Sequence, residues 1–257
     1  MDNEQPDAGE PTKGLLGGDY ALQRKLGSGG MGVVWEAVQQ SLNRKVAVKV
    51  LTPPQRKKEA WRERFTREAR IVAQLHHPNI VKVYGAGTSG DICYYAMELV
   101  DGTRMDQFSF PDARATVRAV AQAARALAYA HRCGVVHRDV KPANLMLDAA
   151  GEVRVTDFGL AAARTEDQND EDARNGTLRY MAPERLMQGL GSPAADQYAL
   201  GVTLWELLAR KRLFADVSGT ALFRRICTTP AGWLRLAVGV PRRRPSRLPG
   251  TTMPVMQ

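Results

Sequence analysis

The chain has 257 residues, 44% of them hydrophobic, and a formal net charge of +9 at pH 7, which suits one large or two small cooperating lobes around a sizeable core. No apolar run approaches the roughly 18 residues of a membrane-spanning helix, and Cys93, Cys133 and Cys227, at no short paired spacing, read as free thiols rather than a disulfide framework or a zinc site. The excess charge is concentrated in Arg56, Lys57, Lys58, Arg62, Arg64, Arg67 and Arg70 and in Arg242, Arg243, Arg244 and Arg247, with no interleaved aromatics, so these runs read as solvated or docking faces and nucleic acid is not an expected partner.

Residues 1–18 are polar, with Pro6, Pro11 and several glycines, the composition of a disordered leader. The acidic start, Met1 to Glu10, lacks the basic and apolar regions of a signal peptide, and a cytoplasmic setting is expected. From Tyr20 to about Val50, β-rich segments broken at Gly27–Gly32 and Ser41–Arg44 predict strands joined by tight turns. Phe65, Ile71, Val72 and Leu75 fall at helical spacings between Trp61 and Leu75, and Pro78 ends the pattern. Ile80–Tyr84 and Ile92–Leu99 read as two further strands, and Asp101-Gly102 as a connector. Beyond it, the alanine-rich Ala113–Arg132 and the stretch Gln197–Arg210 predict helices. A small β lobe followed by a mainly α lobe is expected, with no internal repeat.

Within this frame, Leu26-Gly27-Ser28-Gly29-Gly30-Met31-Gly32-Val33-Val34 places glycines where backbone N–H groups can approach a phosphate. A dinucleotide-binding turn would open a helix, whereas Val33, Val34 and Trp35 continue as a strand, which favours a lid over ATP. Val46-Ala47-Val48-Lys49 ends an apolar strand in a cation; an exposed strand end is the plainer reading, and Glu68 on the next helix gives the lysine a carboxylate that could hold it against the α- and β-phosphates. The most specific string is Val136-His137-Arg138-Asp139-Val140-Lys141-Pro142-Ala143-Asn144. There Asp139 can accept or orient a substrate hydroxyl, Lys141 can neutralise charge on the γ-phosphate and Asn144 can ligate Mg²⁺. Asp157-Phe158-Gly159 supplies a second oxygen ligand.

These strings, in this order, resemble the protein kinase family from Leu26 to about Phe214, and most closely the eukaryote-like serine/threonine kinases of bacteria. The resemblance implies an α+β, two-lobed fold with an N-lobe over 19–100 and a C-lobe over 101–257, the latter atypical from about 215. It implies ATP with Mg²⁺ (or Mn²⁺) as cofactors, and proteins with Ser/Thr acceptors as substrates, in signalling. Gly27 to Gly32, with Leu26, Val34 and Ala47, would line the nucleotide; Met97 would be the gatekeeper and Glu98 to Val100 the hinge. Thr177 would support Asp139 and Lys141, Met181-Ala182-Pro183-Glu184 would end the activation segment, and Asp196 would anchor the catalytic loop. A homodimer through the N-lobe is known among similar kinases.

Two features depart from the family pattern. Glu166, Asp167, Asp170, Glu171 and Asp172 crowd the segment between Asp157 and Glu184; Glu171 or Asp172 would stand in for a phosphate facing Arg138, or the segment is a solvated acidic loop. After Phe214 the chain is short and rich in Pro, Gly and Arg, and Arg244 is the candidate partner of Glu184. The alternatives to an active kinase are therefore a nucleotide-binding pseudokinase and an inactive fragment.

Overall fold

The computed structural model describes residues 15–29, 32–53, 58–158, 178–189 and 191–228. Strands β1 (Tyr20–Gly29), β2 (Gly32–Gln39) and β3 (Arg44–Leu51) form an antiparallel meander. Helix α1 (Lys58–Ala73) then leads to the hairpin of β4 (Val83–Ser89) and β5 (Ile92–Met97). The sheet order is β1-β2-β3-β5-β4. At the first turn Gly29 pairs with Gly32, whose φ is +119° and on which a Cβ would collide with the Val50 carbonyl oxygen, so only glycine fits.

Alternation along β3 sorts its side chains onto two faces. Val46, Val48 and Val50 join Leu16, Tyr20, Ala37, Tyr94 and Ala96 in one apolar layer. Ala47 and Leu51 face the other way, with Cys93, Tyr95 and Met97 of β5, against Trp61 and Phe65 of α1. The same alternation puts Lys49 on the α1 face. Trp61 and Phe65, one helical turn apart, stack with centroids 5.5 Å apart; Phe65 is fully buried, and Phe65→Ala would cost about 3–5 kcal/mol.

The strand expected over Ile80–Tyr84 begins only at Val83. Ile80 and Val81 are buried and turn towards the second lobe: Ile80 bridges Val155, and the Val81 amide donates to the Val155 carbonyl at 3.0 Å. The Val155 amide returns a bond to the Asn79 carbonyl at 2.8 Å, so the chain here is engaged across the lobes rather than in the sheet, while the Ile80 amide closes a turn on the His77 carbonyl.

The second lobe comprises β6 (Gly102–Arg104), α2 (Ala113–Arg132), β7 (Leu145–Asp148), β8 (Val153–Val155), α3 (Pro183–Gln188), α4 (Pro193–Ala209) and α5 (Gly219–Thr228). Helix α2 has the predicted bounds: the Asp112 carboxylate accepts from the Ala115 amide at 2.7 Å, satisfying an N-terminal donor. Helix α4 starts four residues before the expected Gln197, because Ser192 caps it and Pro193 suits its first turn. One core joins the lobes, with Val72 of α1 and Leu75 just beyond it packed in the same cluster as Ala119, Ala123, Leu145, Val155 and Phe158. A second core, of Val202, Trp205, Leu213, Phe214, Leu222 and Ile226, ties α4 to α5. The architecture is the expected α+β one, a small antiparallel β lobe with one helix beside a larger, mainly helical lobe.

Candidate active site

The loop between α2 and β7 is fixed from below by one buried carboxylate. Asp196, in the first turn of α4, accepts from the backbone amides of His137 and Arg138, both at 2.8 Å, and lies 2.8 Å from His131 Nε2. Charge-assisted bonds of this kind are among the stronger ones in a protein interior. His137 is fully buried; its Nδ1 accepts from the Asp139 amide at 3.2 Å, so Nε2 carries the proton given to the Thr156 carbonyl at 2.9 Å. Its ring packs 4.5 Å from that of Phe158.

On this base stands a compact trio. The Asp139 carboxylate accepts from Lys141 Nζ at 2.9 Å and from Asn144 Nδ2 at 3.1 Å, and the same Nδ2 donates to the Asp139 carbonyl at 2.7 Å. The amide nitrogen of Asn144 is thereby committed, which leaves its side-chain oxygen as a ligand atom. Above them, Asp157 Oδ2 pairs with Lys49 Nζ at 2.8 Å, while Oδ1 accepts from the Tyr95 hydroxyl at 2.6 Å. Burial alone would raise the Asp157 carboxyl, but the charge and hydrogen bond of Lys49, with the Tyr95 hydroxyl, hold it below the ordinary carboxylate value. Arg138 and Asp157 both have left-handed backbones, φ 67° and 61°, a conformation that disfavours residues with a Cβ.

The pairing anticipated between Lys49 and Glu68 is not formed. Lys49 is held by Asp157, and Glu68 Oε1 instead meets Arg138 Nη1 at 3.0 Å, while Glu68 Oε2 is buried with no partner among the described residues. The physical reason is the position of α1, which sets Glu68 over the catalytic loop rather than over β3. Burial raises the Glu68 carboxyl above its ordinary value, the charge of Arg138 opposing it. Arg138 thus has an acidic partner from α1; Glu171 and Asp172, the acids considered for it, lie outside the described residues.

Of the remaining expected site residues, Leu26, Gly27, Ser28 and Gly29 lie on β1 and Gly32 and Val34 on β2, with Val34 opposite both Gly27 and Lys49. Ala47 pairs with Met97 across β3 and β5. Glu98 donates its amide to the Lys82 carbonyl at 2.9 Å and forms an ion pair with Arg154, and Val100 packs beside the same apolar layer as Met97. Gly30, Met31, Thr177 and Arg244 lie outside the described residues. Sequence reasoning missed Tyr95, which reads as an ordinary core aromatic of a strand, and Arg185, which donates to the Arg138 carbonyl. The string Gly176-Thr177-Leu178-Arg179-Tyr180 fits the family pattern but does not reveal the contacts of its last two residues: Arg179 is buried and bonded to the carbonyls of Phe214 and Val217, and the Tyr180 hydroxyl donates to Glu206 at 2.6 Å.

A family model described as the protein kinase domain matches residues 20–247, and the chain belongs to the protein kinase family. Among its relatives, the serine/threonine-protein kinase PknA of Mycobacterium tuberculosis is 42% identical over 226 residues, covering 84% of this chain and 52% of that protein. The serine/threonine-protein kinase PrkC of Bacillus subtilis is 34% identical over 212 residues, covering 80% of this chain and 33% of that protein. The chain thus spans about half of PknA and a third of PrkC. A crystal structure of the PknI kinase domain of Mycobacterium tuberculosis superposes with a TM-score of 0.62 at 32% identity, covering 75% of each chain. The two-lobed kinase fold and the bacterial serine/threonine type read from the motifs are those of these relatives.

Proposed function

We propose that the chain is a protein kinase that transfers the γ-phosphate of ATP to serine or threonine hydroxyls of other proteins. The observation that carries this reading is the placement of Asp139, Lys141 and Asn144 in one mutually bonded cluster anchored by Asp196. In this reading the Asp139 carboxylate receives or orients the acceptor hydroxyl, Lys141 offsets charge on the transferred group, and Lys49 holds the α- and β-phosphates. Gly27 to Gly32, Leu26, Val34, Ala47, Met97, Glu98 and Val100 bound the nucleotide, and Thr177 supports Asp139 and Lys141. The donor set of a carboxylate and an amide oxygen, Asp157 and Asn144, suits a hard divalent cation such as Mg²⁺ or Mn²⁺. The chemistry a cation supplies there is neutralisation of phosphate charge. Positioning and electrostatics, rather than a covalent enzyme intermediate, would lower the barrier.

The names of the relatives support the serine/threonine class, and Lys141 fits it. No helix among the described residues is long and apolar enough to cross a membrane, and a cytoplasmic setting and an N-lobe homodimer belong to the same proposal. The test is transfer of labelled γ-phosphate from MgATP to a generic basic protein, comparing the unmodified chain with Asp139→Asn and Lys49→Met. Incorporation lost in both variants supports the reading. A folded chain that binds nucleotide and transfers nothing points to a pseudokinase.

A further inference from the structure

We infer that Tyr95 is a positioning residue for Asp157, holding its carboxylate in place from within the β sheet. Lys49 and Tyr95 face each other directly across β3 and β5, so the pleat presents both side chains to the same face. Each takes one oxygen of Asp157: Lys49 Nζ at Oδ2, 2.8 Å away, and the Tyr95 hydroxyl at Oδ1, 2.6 Å away. A carboxylate tied at both oxygens cannot turn about its last side-chain bond. Each oxygen still keeps a lone pair for another partner.

The surroundings of Tyr95 show why its hydroxyl is more than a packing accident. The residue is 2% exposed, and its ring is packed in an apolar layer with Phe65, Trp61, Cys93 and Met97. A phenylalanine would serve that layer equally well, and a buried hydroxyl without a partner is unfavourable. Asp157 in turn sits at φ 61°, a backbone that persists only when its surroundings over-determine it. The Lys49–Tyr95 pair supplies that determination from a rigid, hydrogen-bonded sheet, in the way that outer partners orient the ligands of other metal sites.

The inference rests on the reading of Asp157 as a cation ligand, and its test separates the two. Binding of Mn²⁺ to the full chain with a non-hydrolysable ATP analogue is followed by electron paramagnetic resonance for the unmodified protein, Asp157→Ala and Tyr95→Phe. Affinity of the analogue without metal and the thermal melt report that each variant is folded. The expected result is that Asp157→Ala loses the tight Mn²⁺ and Tyr95→Phe weakens it on the order of ten-fold, with metal-free nucleotide affinity unchanged. Equal or tighter Mn²⁺ binding by Tyr95→Phe overturns the role given to Tyr95 while leaving Asp157 as ligand. Mn²⁺ binding that is insensitive to Asp157→Ala removes the underlying reading instead, and the inference with it. Should Tyr95→Phe not melt cooperatively, Tyr95→Met, whose long flexible side chain can refill the same layer, takes its place with the same readout.

Discussion

Glu68 and Arg138 form an ion pair at 3.0 Å that joins helix α1 of the β lobe to the residue preceding Asp139. Lys49 is held by Asp157, so Lys49 and Arg138 are each engaged by an acid from a different element, while Lys141 pairs with Asp139 of its own loop. The arrangement makes the placement of α1 depend on the loop that carries the chemistry.

Arg138→Met would leave the Glu68 carboxylate, with no partner at Oε2 among the described residues, without its ion pair in a half-buried position. A loss of about 1–3 kcal/mol in unfolding free energy is expected. Adding Glu68→Gln should restore part of it, with a coupling of about 1 kcal/mol between the two sites. Urea unfolding of both single variants and the double variant measures the cycle.

Asp196→Asn presents an amide where three donors converge, and at 1% exposure no water replaces the lost charge. The expected destabilisation is about 3–5 kcal/mol. Phosphate transfer should fall as well in the fraction that remains folded, because His137 and Arg138 lose the anchor that sets Asp139. Denaturant titration and single-turnover transfer on the same sample test both parts.

A buried polar junction also joins the lobes. Asn79 Nδ2 donates to Gln122 Oε1 at 3.0 Å and to the Val153 carbonyl at 2.8 Å, and Gln122 Oε1 accepts from the Val153 amide at 2.7 Å. Asn79→Ala removes both donors and leaves buried acceptors short of partners, a cost of about 1–3 kcal/mol. A lowered urea midpoint with an unchanged slope is the expected result.

Burial, reinforced by the charge of Glu184, pushes the Tyr198 phenol up to about 12 from its ordinary 10.0. A raised value in the folded state means that the unfolded chain releases this proton first as pH rises. The stability contributed is full below pH 10.0 and is lost as pH climbs towards about 12. Tyr198→Phe should therefore flatten the decline of the unfolding midpoint across that window, relative to the unmodified chain.

What was readable beforehand follows from how local each signal is. Helix α2 was bounded correctly because an alanine-rich stretch with an acidic cap carries its own limits. Asp139, Lys141 and Asn144 were found because a single short loop contains all three. The partner of Glu68 was not, since it is decided by how a helix sits against another lobe, a property that no spacing encodes. Tyr95 escaped notice for a related reason: β alternation predicts which face it occupies, but not that Asp157, 62 residues later, arrives beneath its hydroxyl. Arg179 bonds to the carbonyls of Phe214 and Val217 and Arg185 to that of Arg138, groups that carry no residue-specific mark.

The left-handed backbones of Arg138 and Asp157 are a local cost that the site's own ion pairs hold in place. A glycine at either position would relax the chain locally, at the loss of the guanidinium that meets Glu68 or the carboxylate that meets Lys49. The relief is opposed by the charge left unpaired in each case, the buried Lys49 ammonium or the Glu68 carboxylate. Selection for heat resistance would therefore find little to gain at these two positions, and the unusual backbone there persists together with the ion pairs that hold it.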